Sequence, residues 1–178
     1  MPSRPRLLTR LVQIFRPAPA ATAPAGGRRQ DGLVDEPGRS GASATVEVEP
    51  PGPGEVVVSY APDVDGDPDA GEVIWTWVPY DERDGRGKDR PVLIVARRDA
   101  ERVYGVRLTS KSHQGDHDYL AIGSGEWDSA GRPSWVDVEQ IYLVHREGMR
   151  REASVLDLER FTLVATALQR RYGWSLGD

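Results

Sequence analysis

Three apolar, strand-like runs lie within residues 71–110, and they constrain the fold more than any other feature of the chain. The first run, residues 71–78, is rich in aromatic and β-branched side chains, which fit a pleated sheet better than a helix. The second run, residues 91–96, is continuously apolar and predicts a strand buried on both faces, with a buried helix segment as the alternative. The third run covers residues 103–110.

Short strands are also expected beyond residue 110. Strand-like runs occupy residues 117–122, 134–138 and 141–144, and turns or polar loops separate them. Regularly spaced short strands indicate a small β-barrel.

A helix is expected after these strands. Ser154 and Asp157 have the spacing of a capping box, which predicts a helix start, and Gly173 is the expected stop. Apolar residues then recur at spacings of three and four, so the helix should pack across the barrel. These residues are Leu158, Phe161, Ala165, Leu168 and Tyr172.

Composition divides the chain into a compact part and an extension. The length of 178 residues suits one domain of ordinary size, and most of the 14 prolines precede residue 71. Residues 1–54 have too few large apolar side chains to offset the entropy cost of folding. We therefore expect a disordered extension over residues 1–54, an extra strand and acidic linker over residues 55–70, and a barrel domain over residues 71–178.

Charge is distributed in blocks that the net value of -5 conceals. Residues 1–29 carry six arginines and no acid, and residues 30–70 carry ten acids and one arginine. Residues 71–178 have a net charge of -2. Because nucleic-acid-binding domains are usually basic, this value argues against a housekeeping nucleic-acid-binding barrel and for a local basic groove at most.

The chain contains no cysteine, which excludes disulfides and thiolate metal sites and is consistent with a cytoplasmic location. No run approaches the ~20 apolar residues of a spanning helix, so we expect no membrane partner. The aspartates of residues 63–69 alternate as in a calcium loop, but the closing glutamate is missing and Pro68 interrupts the pattern. We therefore interpret this segment as a solvated acidic linker and expect no metal and no cofactor.

Four motifs occur in a recognisable order. Residues 71–75 form an opening strand, residues 90–95 follow a charged loop, residues 108–110 close a strand, and residues 138–141 form an acidic-Gln-aliphatic strand. In this order they resemble the MazF/PemK toxins of bacterial toxin-antitoxin systems, which are small endoribonucleases. The resemblance covers about residues 71–174 and implies a mainly β (α+β) fold, an SH3-like small barrel with a C-terminal helix.

The resemblance also implies a catalytic pair. Arg90 and Thr109 match the family's catalytic residues, so Arg90 would stabilise the transition-state phosphate and Thr109 would hydrogen-bond it. A guanidinium offers a planar fork of donors that matches phosphate oxygens. Cleavage without a metal requires attack of the 2'-hydroxyl on its own phosphate, which leaves a 2',3'-cyclic phosphate and a 5'-hydroxyl. The candidate substrate-binding residues are Lys88, Ser110, Lys111 and Gln140.

Partners follow from the same resemblance. They are single-stranded RNA (mRNA), an antitoxin protein whose acidic segment would fill the RNA groove, and a second copy of the chain in a homodimer.

The residues alone leave other interpretations open. Arg90 could be a strand-entry charge and Thr109 an ordinary strand-end hydroxyl, while His113 and His117 are acid-base candidates. The barrel could also be a noncatalytic module that binds a protein, as in the CcdB-like gyrase inhibitors, or nucleic acid.

Overall fold

The structure is a computed structural model that describes residues 36–63, 67–80 and 84–177. Within these residues the chain forms ten β-strands and one α-helix. In chain order they are β1 (Val46–Val48), β2 (Val57–Val58), β3 (Glu72–Pro79), β4 (Gly87–Arg97), β5 (Arg102–Thr109), β6 (Tyr119–Gly123), β7 (Ser134–Asp137), β8 (Ile141–His145), β9 (Met149–Val155), α1 (Leu158–Tyr172) and β10 (Ser175–Leu176).

Eight of the described strands form one antiparallel sheet. Its order is β1-β8-β5-β4-β3-β9, and β7 pairs with both β5 and β6. β2 and β10 pair in parallel as a separate two-stranded sheet. The curled antiparallel sheet and C-terminal helix confirm the expected mainly β fold.

β4 lies at the centre of the molecule and buries both of its faces. Its residues 92–96 are at most 2% exposed, as expected for an uninterrupted apolar run. Leu93 and Val95 pack on one side, in the cluster that includes the apolar face of α1. Val92 and Ile94 pack on the other side, together with Tyr142 of β8. A strand buried on both faces provides a rigid support for the residues at its ends.

The helix begins at a different residue from the one predicted. Ser154 lies in β9, and the N-cap is Asp157, whose side chain accepts a hydrogen bond of 2.9 Å from the Arg160 amide. The helix ends at Gly173 as predicted, because its φ of 71° is the left-handed conformation that glycine adopts readily. In the described part of the chain, no helix has the length and apolar character needed to cross a membrane.

The buried face of α1 is close to the expected one. Its buried residues are Phe161, Val164, Ala165 and Leu168. Leu158 is exposed instead, and Tyr172 is half-buried and places its hydroxyl 2.7 Å from the Glu139 carbonyl oxygen. The first residue of the helix, Leu158, therefore lies at the edge of the core, next to the N-cap.

Asp157→Ala should lower the free energy of unfolding by about 1 kcal/mol at neutral pH, because the helix loses its N-cap. The Arg160 amide and then the Arg160 guanidinium hold the pKa of Asp157 below its ordinary value. The stabilisation is therefore complete above the unfolded pKa of about 3.9 and is lost as the pH falls through the folded pKa. Urea unfolding at neutral and strongly acidic pH measures both effects.

Asp157→Asn is the matched control, because asparagine caps helices as well as aspartate does but does not titrate. It should retain most of the stability at neutral pH and lack the acid-dependent loss. An Asp157→Ala deficit that is equally large in strong acid would contradict the assignment of the cap to the ionised carboxylate.

The prediction of disorder is wrong for residues 36–54, which the structure describes as part of the fold. Val46 of β1 lies opposite Leu143 of β8, which gives the edge of the sheet a further strand. The Trp174 indole nitrogen also donates to the Pro51 carbonyl oxygen at 2.9 Å, so this segment contacts the C-terminal end of the chain. Edge pairing needs few apolar side chains, which is why composition did not reveal it. The remainder of the expected extension, residues 1–35, lies outside the described residues.

Candidate active site

Arg90 and Thr109 line the same cavity, which has a volume of about 120 Å³. Lys88 and Ser110 also line it, so four of the six residues singled out from the sequence meet there. The volume is several times the ~10–15 Å³ that a cavity needs to hold one water molecule, so a phosphate-sized group has room to enter. The complete lining is Trp75, Lys88, Asp89, Arg90, Pro91, Leu108, Thr109, Ser110, Trp127, Asp128, Arg132 and Ser134.

The cavity lies where β4 and β5 separate. Their pairing extends as far as Val92 opposite Arg107, while both strands continue beyond this pair. Past this point β5 pairs on its other side with β7, where Thr109 lies opposite Trp135. The ends of two neighbouring strands therefore supply the two chemically important side chains of the cavity.

Arg90 lies inside a strand that begins before the apolar run predicted from the sequence, residues 91–96. β4 begins at Gly87, and its first residues pair with β3, so that Arg90 lies opposite Thr76. The hairpin register extends the strand through the charged residues, which local composition does not predict. Because side chains alternate along a strand, Lys88 and Arg90 share one face of β4. Two cationic side chains therefore border the cavity from the same strand.

The Thr109 hydroxyl is oriented by the loop that follows β5. Its Oγ1 accepts a hydrogen bond from the Lys111 amide at 3.2 Å. A hydroxyl that accepts one hydrogen bond can still donate its own proton to another acceptor. Thr109 can therefore donate to a phosphate oxygen in the cavity. Lys111 does not line the cavity, although its backbone positions the hydroxyl.

A buried ion pair holds β5 against β7 just before Thr109. Arg107 Nε and Nη2 each lie 2.8 Å from Asp137 Oδ2, and the two side chains are 11% and 1% exposed. Asp137 Oδ1 also accepts from the Glu139 amide at 3.0 Å. Burial and the charge of Asp137 raise the pKa of the neighbouring Tyr119, against the opposing effect of Arg107, so the phenol stays protonated at neutral pH.

Sequence analysis assigned no site residue to residues 124–133, the loop between β6 and β7. This loop brings Trp127, Asp128 and Arg132 to the cavity wall. The only local signal was an aspartate four residues before an arginine across a glycine turn. That spacing is common in solvated turns, so the position of the loop depends on tertiary packing.

The charges around the cavity favour an anion. Lys88, Arg90 and Arg132 are cationic, and Asp89 and Asp128 are anionic. The Arg150 guanidinium forms an ion pair with Asp89. Burial alone would raise the pKa of Asp128, but hydrogen bonds from Arg132 and the Ala130 amide hold it below its ordinary value. Asp128 is therefore ionised at neutral pH, and the surplus of positive charge remains.

Gln140 and the two histidine candidates lie elsewhere. Gln140 accepts a hydrogen bond of 2.8 Å from the Tyr142 hydroxyl and lines a separate cavity beside Glu47, Glu49 and Glu139. His113 stacks on Tyr119 with ring centroids 3.5 Å apart, and His117 is exposed. None of the three lines the cavity that holds Arg90. Substrate binding by Gln140 stays a prediction.

Metal-ligating side chains are dispersed in the part of the chain that the structure describes. Among residues 36–63, 67–80 and 84–177, no group of three or more histidine, aspartate or glutamate side chains is arranged to hold a metal ion. The carboxylates at the cavity are each paired with an arginine, as described above for Asp89 and Asp128.

Comparison with solved structures gives matches of low sequence identity over part of the chain. An endoribonuclease in complex with its cognate antitoxin from Mycobacterial species is 20% identical, with a TM-score of 0.46, and the match covers 60% of this chain and 96% of that chain. The MazE-MazF structure from Deinococcus radiodurans is 17% identical, with a TM-score of 0.43, and the match covers 60% and 96%. No curated protein matches the sequence.

The comparison with protein families establishes which family this chain belongs to. The model described as "PemK-like, MazF-like toxin of type II toxin-antitoxin system" matches residues 69–171, which is more than half of the chain. The matched segment contains both cavity-lining strand ends and the β6–β7 loop. The chain therefore belongs to the PemK-like, MazF-like family of type II toxins.

Proposed function

We propose that the protein is a toxin-like endoribonuclease that cleaves single-stranded RNA without a metal. The observation that supports this most directly is the meeting of Arg90 and Thr109 in one phosphate-sized, positively charged cavity. Family membership supports the same function, because the match includes the strands that carry both residues.

In the proposed reaction the RNA itself provides the nucleophile. The 2'-oxygen forms a bond to phosphorus as the bond to the 5'-oxygen breaks. The 2'-hydroxyl proton passes to solvent water, and the departing 5'-oxygen takes a proton from solvent water, so no proton is gained or lost overall. The products are a 2',3'-cyclic phosphate and a 5'-hydroxyl.

The two residues would act on the charge that develops at phosphorus. Arg90 stays protonated, so it would stabilise the nonbridging oxygens rather than act as a general base. Thr109 would donate its hydroxyl proton to one of these oxygens, while its Oγ1 stays oriented by the Lys111 amide. Lys88 and Ser110, next to these two residues at the cavity wall, would hold the flanking RNA.

The proposed partners are an antitoxin protein and a second copy of the chain. The family description supports the first, because it names a toxin of a type II toxin-antitoxin system. A homodimer is a further part of the proposal and rests on the resemblance to the family. A cytoplasmic location is also proposed, because the target would be mRNA.

The test is incubation of the full-length protein with a long single-stranded RNA in excess EDTA, followed by mapping of both product ends. We expect discrete cuts with cyclic or 3'-phosphate and 5'-hydroxyl ends. Arg102→Gln is a suitable control, because Arg102 begins β5 and lies about 23 Å along the strand from Thr109. It should cut as the unchanged protein does.

Two results would contradict the proposal. Intact RNA in the presence of folded protein would favour a noncatalytic barrel that binds a protein. Cleavage that EDTA abolishes, or products with 5'-phosphates, would show an endoribonuclease with a different mechanism.

A further inference from the structure

We propose that Arg132 is an additional RNA-binding residue, which contacts a backbone phosphate next to the one that Arg90 and Thr109 engage. This inference rests on the proposed function and names a residue that the sequence motifs did not include. Arg132 lies on the β6–β7 loop, outside both strands that carry the proposed catalytic pair, and lines the same cavity.

Arg132 is held in place through one of its nitrogens. Its Nε lies 2.9 Å from Asp128 Oδ2, and the Arg132 side chain is 62% exposed. Asp128 Oδ1 accepts from the Ala130 amide at 2.9 Å, so both oxygens of this carboxylate are engaged. The bond from Nε leaves the Nη hydrogens of Arg132 for a ligand. An arginine fixed in this way loses less side-chain entropy when it binds a phosphate.

The loop beneath Arg132 is itself fixed at several points. The Gly131 amide donates to the Asp128 carbonyl oxygen at 2.8 Å, and its carbonyl oxygen accepts from Ser124 Oγ, also at 2.8 Å. From α1, Arg160 Nη1 donates to the Ser124 carbonyl oxygen at 2.9 Å. These bonds tie both ends of the turn to each other and to the helix.

Trp127 fixes the same loop from the inside. Its side chain is 3% exposed, and its Nε1 donates to Ser134 Oγ at 3.0 Å. The Arg160 guanidinium lies over the Trp127 ring, 5.3 Å from the centroid. A buried aromatic at this position anchors the loop in the core. Arg132 is thus presented by a rigid support, as a preorganised binding residue requires.

A phosphate is a better match for Arg132 than a base edge. The cavity has a surplus of positive charge, so it attracts an anion. Arg90 is expected to bind the reacting phosphate, and Arg132 approaches the cavity from the β6–β7 loop. A single-stranded RNA that crosses the cavity would therefore place a neighbouring phosphate within reach of Arg132.

The experiment measures the affinity of full-length Arg132→Gln for a 2'-O-methyl RNA, which cannot undergo attack by the 2'-oxygen. Fluorescence anisotropy over a range of salt concentrations gives both the Kd and its salt dependence. We expect Kd to rise about tenfold, because a charge-assisted hydrogen bond is lost. The slope of log Kd against log salt should fall by about 0.7, the value for one phosphate contact on a single strand.

Arg132→Lys and Arg102→Gln complete the design. Arg132→Lys keeps the charge without the planar fork, so it should retain the salt slope and lose part of the affinity. Arg102→Gln also removes one arginine that is paired with an aspartate, Asp99, but at the far end of β5, where its side chain is 38% exposed. It should change neither quantity. Thermal unfolding of each variant checks that the fold is retained.

Two results would overturn the inference. One is an Arg132→Gln protein with the affinity and salt slope of the unchanged protein. The other is an Arg132→Gln protein with a lower affinity but an unchanged slope, which would mean that Arg132 reads a base. Failure of the proposed function is distinguishable from both, because the unchanged protein would then leave a cleavable RNA intact.

Discussion

Arg90→Ala should reduce the rate of RNA cleavage by about 10²- to 10³-fold, the usual cost of removing one preorganised donor to the charge of a transition state. Arg90 lines the cavity and lies two residues before the buried run 92–96 of the central strand. Arg90→Lys should be intermediate, since it keeps the charge and loses the bidentate geometry. Single-turnover cleavage of a short RNA measures the chemical step directly.

Controls separate this loss from a loss of folding. Arg102→Gln removes the same charge from the end of β5 that is remote from Thr109, and this variant should cleave at the unchanged rate. Arg90→Ala should bind uncleavable RNA only modestly more weakly than the unchanged protein, because its main effect is on the transition state. A folded Arg90→Ala protein with full cleavage activity would remove Arg90 from the mechanism.

The role of the Thr109 hydroxyl is tested by the same single-turnover cleavage experiment. Thr109→Val removes the hydroxyl at nearly constant volume, and Thr109→Ser retains it. We expect the valine variant to cleave at least about tenfold more slowly, as for the loss of a hydrogen bond to a charged group. The serine variant should retain most of the activity. Equal activity of both variants would exclude the hydroxyl as a phosphate ligand.

Asp137→Ala should lower the free energy of unfolding by about 3–5 kcal/mol, because it leaves the Arg107 guanidinium buried without its carboxylate. The pair is almost inaccessible to solvent and joins β5 to β7. Urea unfolding measures the change. Glu126→Ala is the control for removal of an acid, because Glu126 is exposed, and its effect should stay within about 0.5 kcal/mol.

A double variant distinguishes a lost interaction from a general loss of packing. Arg107→Met with Asp137→Leu replaces both charges with apolar side chains and should recover much of the lost stability. It should also recover cleavage, if the pair acts mainly by fixing the β5–β7 contact beside Thr109. An Asp137→Ala protein as stable as the unchanged one would show that this contact does not need the pair.

Much of the fold could be predicted because its signals are local. The apolar run at 91–96 is long and uninterrupted, so it predicted the central strand that the structure contains. Gly173 ends the helix as expected, since a left-handed residue is needed there. The exact N-cap was harder, because Ser154 and Asp157 both suit a helix start. Ser154 is not the N-cap, because it belongs to β9 and pairs there with Val73 of β3.

β9 and β1 were missed for a related reason. β9 carries Arg150 within a charged stretch, and β1 lies in a segment of low apolar content. Edge strands are stabilised mainly by backbone pairing on one side, so their side chains need not be apolar. Their presence depends on a neighbouring edge that is distant in the sequence.

The sequence by itself determined the β-rich elements, which depend on local side-chain chemistry, and the order of the motifs, whose resemblance to the MazF/PemK family pointed to Arg90 and Thr109. Tertiary structure alone decided which polar groups share a cavity. It brought Asp128 and Arg132 to the proposed site through the anchoring of Trp127, and it placed Gln140 elsewhere. The physical reason is that convergence of loops depends on packing between segments far apart in the chain, which no local pattern encodes.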